Sequence, residues 1–253
     1  MSFEVPSDAY GRFMGRYSEP LADRYVELVG VRQGQHVLDV GCGPGVLTAR
    51  LVDRCGADGV AAVDPSTPFV EAARARLPGA DVRQATAEEL PFADDTYDLC
   101  LAQLVVHFMA DPVAGLREMG RVARPGGLVS ASVWDHTNGT GPLSPFWSAA
   151  QDLDPSAPGE GHLAGSREGH LAELAGEAGL DEITSTSLTV RVPFTSFEEW
   201  WAPYLLGVGT TGDYMATLDE EHRRAIEQRC RETVPQAPFE QDATAWVVMA
   251  RAY

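Results

Sequence analysis

Val37-Leu38-Asp39-Val40-Gly41-Cys42-Gly43-Pro44-Gly45 is the stretch that decides the fold. The apolar run from His36 to Val40 reads as a buried parallel strand. It breaks at Gly41 into a glycine-rich turn, after which Val46, Leu47, Leu51 and Val52 fall at helical spacing. A strand that passes through such a turn into a helix lets a ligand approach backbone at the strand's carboxyl end. Electrostatics then separates two ligand classes. A pyrophosphate prefers a dipole-positive helix start without a nearby anion. Here Asp39 repels phosphate and attracts an ammonium group. A Gly-x-Gly-x-x-Gly turn needs glycine where this chain has Val46, and Pro44 removes a backbone donor. The turn suits a ligand with an amino-acid end better than a dinucleotide.

Working outward, Gly59–Val63 reads as a second strand stopped by Asp64-Pro65, with Ser66 as the expected cap of a helix through Arg76. Asp64 lies 19 positions after Gly45, close to the ~20 at which such folds place an acid on a ribose. Asp81–Gln84, Tyr97–Gln103 and Leu128–Trp134 read as further strands, with a helix from Pro112 to Val122. That alternation means an α/β fold with a parallel sheet covered on both faces. Residues 7–29 read as N-terminal helices and 135–165 as loop around a short helix near Pro145–Leu153. Glu168–Ala178 reads as a helix, and Ile183–Val192 and Thr244–Ala252 as two last strands. About fifty residues lie between those two strands, holding Phe197, Trp200, Trp201 and Tyr204 and then a polar helix near Asp219–Thr233. An insertion of that length with clustered aromatics is expected to be a helical cap.

Composition narrows the partners. The chain has 253 residues, 44% hydrophobic and 22% charged, as in an ordinary globular domain. Nineteen basic residues face 37 acidic ones, for a formal net charge of −18, and no basic tract is present. Nucleic-acid binding relies on clustered cations, so a nucleic-acid partner is not expected. No apolar run approaches the ~20 residues of a membrane helix, and the first residues lack the features of a secretory signal. Cys42, Cys55, Cys100 and Cys230 are scattered without CxxC spacing. This argues against a zinc site or a disulfide framework and fits the cytoplasm.

Val37–Gly45 resembles the glycine-rich first motif of class I S-adenosylmethionine-dependent methyltransferases. The similarity extends in order through Asp64, Ala87-Glu88-Glu89-Leu90-Pro91-Phe92, Asp98-Leu99, His107-Phe108 and the run from Arg117 to Gly127. It covers roughly residues 35–134 and points to the small-molecule, type 11-like members. Tyr10–Tyr17 also resembles the N-terminal segment of some of these. The resemblance implies a Rossmann-like, doubly wound seven-stranded sheet, mostly parallel with an antiparallel last strand. N-terminal helices and a helical cap insertion complete one domain over 1–253. Its expected parts are a lid at 1–30, a cofactor-binding core at 35–134 and the cap at 193–241.

Carried over by position, the resemblance puts Asp39, Gly41, Cys42 and Gly43 on the methionine portion of S-adenosylmethionine. Asp64 and Pro65 then hold the ribose, Ala87 and Glu88 flank the adenine, and Gln103 sits toward the sulfonium. Where many members have an acid that receives the adenine amino group, this chain has Thr86. Recognition there is expected to rest on backbone around Ala87-Glu88. Arg16, with Tyr17, either closes over the donor or caps a helix. Methyl transfer is an in-line displacement that needs a general base only for a protonated acceptor atom. His107 and His136 are the candidates, against the alternative that each merely bonds backbone. Trp134, Trp200, Trp201 and Tyr204 are candidates for enclosing an apolar or cationic small-molecule acceptor, against the alternative that they are core. Two rival functions remain open at this point. One is a protein that binds S-adenosylmethionine without transfer; the other, disfavoured by Asp39, Pro44 and Val46, is an NAD-dependent oxidoreductase.

Overall fold

A computed structural model describes residues 11–253, the Arg12 side chain excepted. The first ten residues of the expected lid lie outside the described residues. Seven strands form one sheet: β1 (Val37–Val40), β2 (Val60–Asp64), β3 (Asp81–Gln84), β4 (Tyr97–Gln103), β5 (Ala123–Trp134), β6 (Asp181–Phe194) and β7 (Phe239–Arg251). The spatial order is β3-β2-β1-β4-β5-β7-β6. β1 to β5 pair in parallel, and β7 runs antiparallel to both of its neighbours. The sheet is therefore the expected mixed, Rossmann-like one.

The strands form because their residues fill the middle of a three-layer sandwich. Every residue of β1 and β2 is buried, as parallel strands covered on both faces require. On one face Leu38 and Val40 pack with Leu116, Met119 and Val122 of α4 (Pro112–Val122) and with Leu171 and Leu174 of α6 (His170–Glu177). On the other, Val37 and Leu101 pack with Tyr25 and Val26 of α1 (Arg16–Val29) and with Leu47 and Leu51 of α2 (Val46–Cys55). Each such Leu or Val is worth roughly 1.5–3 kcal/mol when fully buried. α3 (Thr67–Arg76) covers the β2–β3 side through Val70 and Ala73. Ser66 sits at the start of α3 but makes no side-chain cap bond. Its N–H instead donates to Asp64 Oδ1 at 2.9 Å. Asp111 does cap α4, accepting from Ala114 N at 3.0 Å.

A second core lies over the carboxyl-end side of the sheet. It joins α5 (Ser144–Leu153) with the segment between β6 and β7, which contains α7 (Phe197–Trp201), α8 (Gly209–Thr217) and α9 (Glu220–Thr233). Phe146 stacks on Tyr204 at 5.1 Å between ring centroids, and Trp200 and Trp201 pack around the same rings. The short turn Gly11–Gly15 closes against it, with the Phe13 ring 5.2 Å from Tyr204. No helix among the described residues is long and apolar enough to cross a membrane.

Candidate functional site

Parallel register sets the position of a cleft at the carboxyl ends of the strands. Asp39 of β1 is opposite Ala62 of β2 and Leu101 of β4, so Asp39, Asp64 and Gln103 come to one edge of the sheet. The turn after β1 folds back onto β2, with Gly41 N and Cys42 N donating to Val63 O at 2.8 and 2.9 Å. Gly43 N donates to Asp64 Oδ2 at 2.8 Å. The cleft this creates has a volume of about 260 Å³.

Two buried carboxylates face each other across that turn. Asp39 is 1% exposed and accepts from Thr48 Oγ1 at 2.6 Å. Burial pushes its carboxyl up to about 7; the Thr48 hydrogen bond opposes this and the charge of Asp64 adds to it. Asp64 is also raised by burial, against the two backbone N–H groups it accepts from. Gln103 Nε2 donates to Ser18 O at 3.1 Å, which leaves Gln103 Oε1 and Ser18 Oγ buried without a protein partner. Both residues line the cleft.

Asp39, Gly41, Cys42, Gly43, Asp64, Pro65, Ala87, Glu88 and Gln103 all line this cleft, brought together from four strand ends and their loops. Thr86 lines it too. The Glu88 carboxylate is engaged elsewhere, accepting from Ala110 N at 2.8 Å and Asp111 N at 3.2 Å. Arg16 is a correction. It does not line the cleft but pairs with Glu199 and lies 4.8 Å over the Phe194 ring, tying α1 to β6 and α7. Tyr17 donates to Gln241 Oε1 at 2.8 Å rather than closing over a ligand.

A smaller inner cavity shares Leu104 and Phe108 with the cleft. Leu104 follows Gln103 with φ at 62°, a left-handed backbone uncommon for a leucine. His107, Trp134 and His136 line this inner cavity, with Phe13, Leu143 and Glu160 among the others. Trp200, Trp201 and Tyr204 are a further correction, since they line neither cavity. They are 2%, 5% and 3% exposed because their rings fill the second core, and Trp200 Nε1 donates to Gln241 Oε1 at 2.6 Å.

The inner cavity's ionisable pair is largely withdrawn from water. His136 Nδ1 lies 3.2 Å from Glu160 Oε2, with the two side chains 5% and 8% exposed. Thr210 donates to Glu160 Oε1. The His107 and His136 rings are 6.0 Å apart. Burial lowers both histidines below the ordinary imidazole value; His136 adds to the effect on His107, while Glu160 and Asp135 oppose it on His136. His107 Nδ1, His136 Nε2, Trp134 Nε1 and Glu160 Oε2 are buried without a hydrogen-bond partner.

Sequence reasoning missed Ser18, Leu104, Glu160 and Thr210. A position after the strand ending at Gln103 was a usable signal for Leu104. Glu160 sits in the Gly- and Pro-rich run 154–165, where an acid reads as solvated, so nothing local marks it.

Comparison with known proteins bears on this geometry. Residues 38–131 match the family model described as Methyltransferase domain. An uncharacterized methyltransferase of Mycobacterium tuberculosis is 38% identical over 135 residues, covering 53% of this chain and 52% of that protein. A malonyl-[acyl-carrier protein] O-methyltransferase of Erwinia billingiae is 40% identical over 128 residues, covering 50% of this chain and 48% of that protein. The chain thus spans about half the length of the curated relatives it matches. In fold, it resembles the crystal structure of the YcgJ protein from Bacillus subtilis, with a TM-score of 0.60 at 18% identity. That match covers 93% of this chain and 97% of the other.

Proposed function

We propose that this chain, whose residues 38–131 match the family model described as Methyltransferase domain, is a class I S-adenosylmethionine-dependent methyltransferase that binds S-adenosylmethionine in the cleft at the strand ends and transfers its methyl group to a small-molecule acceptor. The observation that carries this reading is the pair of buried carboxylates, Asp39 and Asp64, on either side of the glycine-rich turn. A pyrophosphate would meet both charges, whereas an ammonium group and ribose hydroxyls are complementary to them.

The residues present fit the donor. Asp39, the 41–43 backbone and the unpartnered Gln103 Oε1 and Ser18 Oγ suit its amino-acid end. Each Asp64 oxygen accepts one backbone N–H and keeps a lone pair for a ribose hydroxyl. With the Glu88 carboxylate engaged, the adenine falls to Thr86 and to backbone around Ala87. When bound, S-adenosylmethionine supplies an electrophilic methyl on a sulfonium. The chain's own part is alignment and exclusion of water, which the apolar wall of Leu104, Val105 and Phe108 favours.

A small-molecule acceptor is supported by the narrowness of the inner cavity and by the net charge of −18, which disfavours nucleic acid. All four cysteines are free thiols, consistent with a cytoplasmic protein. Calorimetry with S-adenosylmethionine, S-adenosylhomocysteine and NAD tests the proposal. Micromolar binding of the first two and none of NAD is expected. Binding of NAD alone, or of none of the three, would overturn it.

A further inference from the structure

We infer that the inner cavity is the acceptor site, and that it takes a compact, uncharged molecule presenting one phenolic or enolic hydroxyl to His136 Nε2. The inference rests on the donor reading above, because it needs a methyl donor in the adjoining cleft.

Unpartnered buried polar atoms carry the argument. A buried donor or acceptor left without a partner costs roughly 1–3 kcal/mol, so a cluster of them in one cavity calls for a ligand. His136 Nε2, His107 Nδ1 and Trp134 Nε1 belong to residues that line this cavity among Phe13, Leu104 and Leu143. The Glu160 carboxylate oxygen 3.2 Å from His136 Nδ1 makes no formed hydrogen bond, but its charge favours the tautomer with the proton on that nitrogen, which leaves the Nε2 lone pair as a base. Thr210 fixes Glu160 in turn. His136 is the catalytic residue, and Glu160 is a positioning residue that acts through it.

Chemistry then selects the acceptor. A hydroxyl both donates to Nε2 and accepts from the Trp134 indole N–H, whereas an ammonium has no lone pair for the indole. A carboxylate acceptor would face Glu160 and needs no base. In the step, the hydroxyl proton goes to His136 Nε2 as its oxygen forms the new O–CH₃ bond. The C–S bond of the donor breaks with its electron pair kept on sulfur, leaving a neutral thioether. Glu160 stabilises the imidazolium that results. The charged and titratable groups facing His136 are Glu160, Asp135 beside it in the chain, and His107 from the turn after β4.

The test uses 4-nitrophenol and 4-nitroanisole on protein saturated with S-adenosylhomocysteine. It is paired with an NMR titration of the histidine rings. The phenol is expected to bind at least about tenfold more tightly than its methyl ether, and His136→Gln to remove that difference. Glu160→Gln is expected to lower the His136 titration midpoint, because the imidazolium loses its counter-charge, and Glu160→Asp to restore it in part. All three variants should keep wild-type affinity for S-adenosylhomocysteine. Equal binding of the two probes, or an unmoved His136 midpoint in Glu160→Gln, would overturn the inference. If a variant does not fold, the wild-type comparison of the two probes still decides. Failure of S-adenosylhomocysteine to bind would instead count against the donor reading.

Discussion

The backbone N–H of Gly43 donates to Asp64 Oδ2 at 2.8 Å, so the acid that ends β2 also closes the turn that follows β1. One side chain thereby shapes the cleft and faces into it. Asp64→Ala orphans the N–H groups of both Gly43 and Ser66, and is expected to cost about 2 kcal/mol of stability. It should also weaken S-adenosylmethionine binding by more than about tenfold. Asp64→Asn, which keeps one carbonyl acceptor, should lose less stability. Thermal unfolding and calorimetry check both; wild-type donor affinity in Asp64→Ala would remove Asp64 from the site.

Asp39 gives a pH dependence of definite sign. The folded protein holds its proton up to about 7, whereas an unfolded chain releases it near the ordinary carboxylate value of about 4. Its contribution to stability is therefore full below about pH 4 and lost as pH rises through about 7. Asp39→Asn should be more heat-stable than wild type at pH 8 and similar to it at pH 4. Donor binding, which needs the ionised carboxylate opposite an ammonium, should strengthen through pH 7 in wild type only. A wild-type affinity that stays flat between pH 6 and 8 would contradict this.

Gly41 and Gly43 both have positive φ, 73° and 53°, but only Gly41 is hemmed in. A Cβ there would lie 2.4 Å from Val105 Cγ2, while one on Gly43 meets nothing within 4 Å. Gly43→Ala should cost about 1 kcal/mol of backbone strain, and Gly41→Ala several times more. Trimming Val105 to alanine should recover part of the Gly41→Ala loss in a double-mutant cycle. Strict additivity of the two changes would refute the steric account.

Gln241 joins three parts of the molecule. Its Oε1 accepts from Tyr17 and Trp200, and its Nε2 donates to Pro142 O at 2.8 Å. Gln241→Ala leaves two buried donors unmet and is expected to destabilise the protein by about 2–4 kcal/mol. Glu199→Gln, which loses the half-exposed Arg16 pair, should cost under about 1 kcal/mol. Urea unfolding of the two variants distinguishes them; a larger effect from Glu199→Gln would reverse the assignment.

The cleft lined by Asp39, the glycine-rich turn and Asp64 was legible because its residues announce themselves locally. Asp39, the 41–45 turn and Asp64 sit where apolar strands stop, and parallel pairing admits one shared edge for strand ends. Arg16, Trp200, Trp201 and Tyr204 misled for the opposite reason. A cation near a glycine, or aromatics in an insertion, satisfy a site and a core equally well until their neighbours are known. Glu199 and Phe194 claim the first, and Phe146 and Gln241 claim the others.

By itself the sequence determined the parallel strands and the edge at which they meet the glycine-rich turn, since hydrophobic period and turn chemistry act over a few neighbouring residues; the antiparallel last strand was implied by the family resemblance. Tertiary structure alone decided which side chains enclose the inner cavity. Glu160 and Thr210 are 50 residues apart and His107 comes from another loop again, yet they meet beside His136. Nothing in the local pattern of any of them specifies that meeting. It follows from packing the second core onto the sheet.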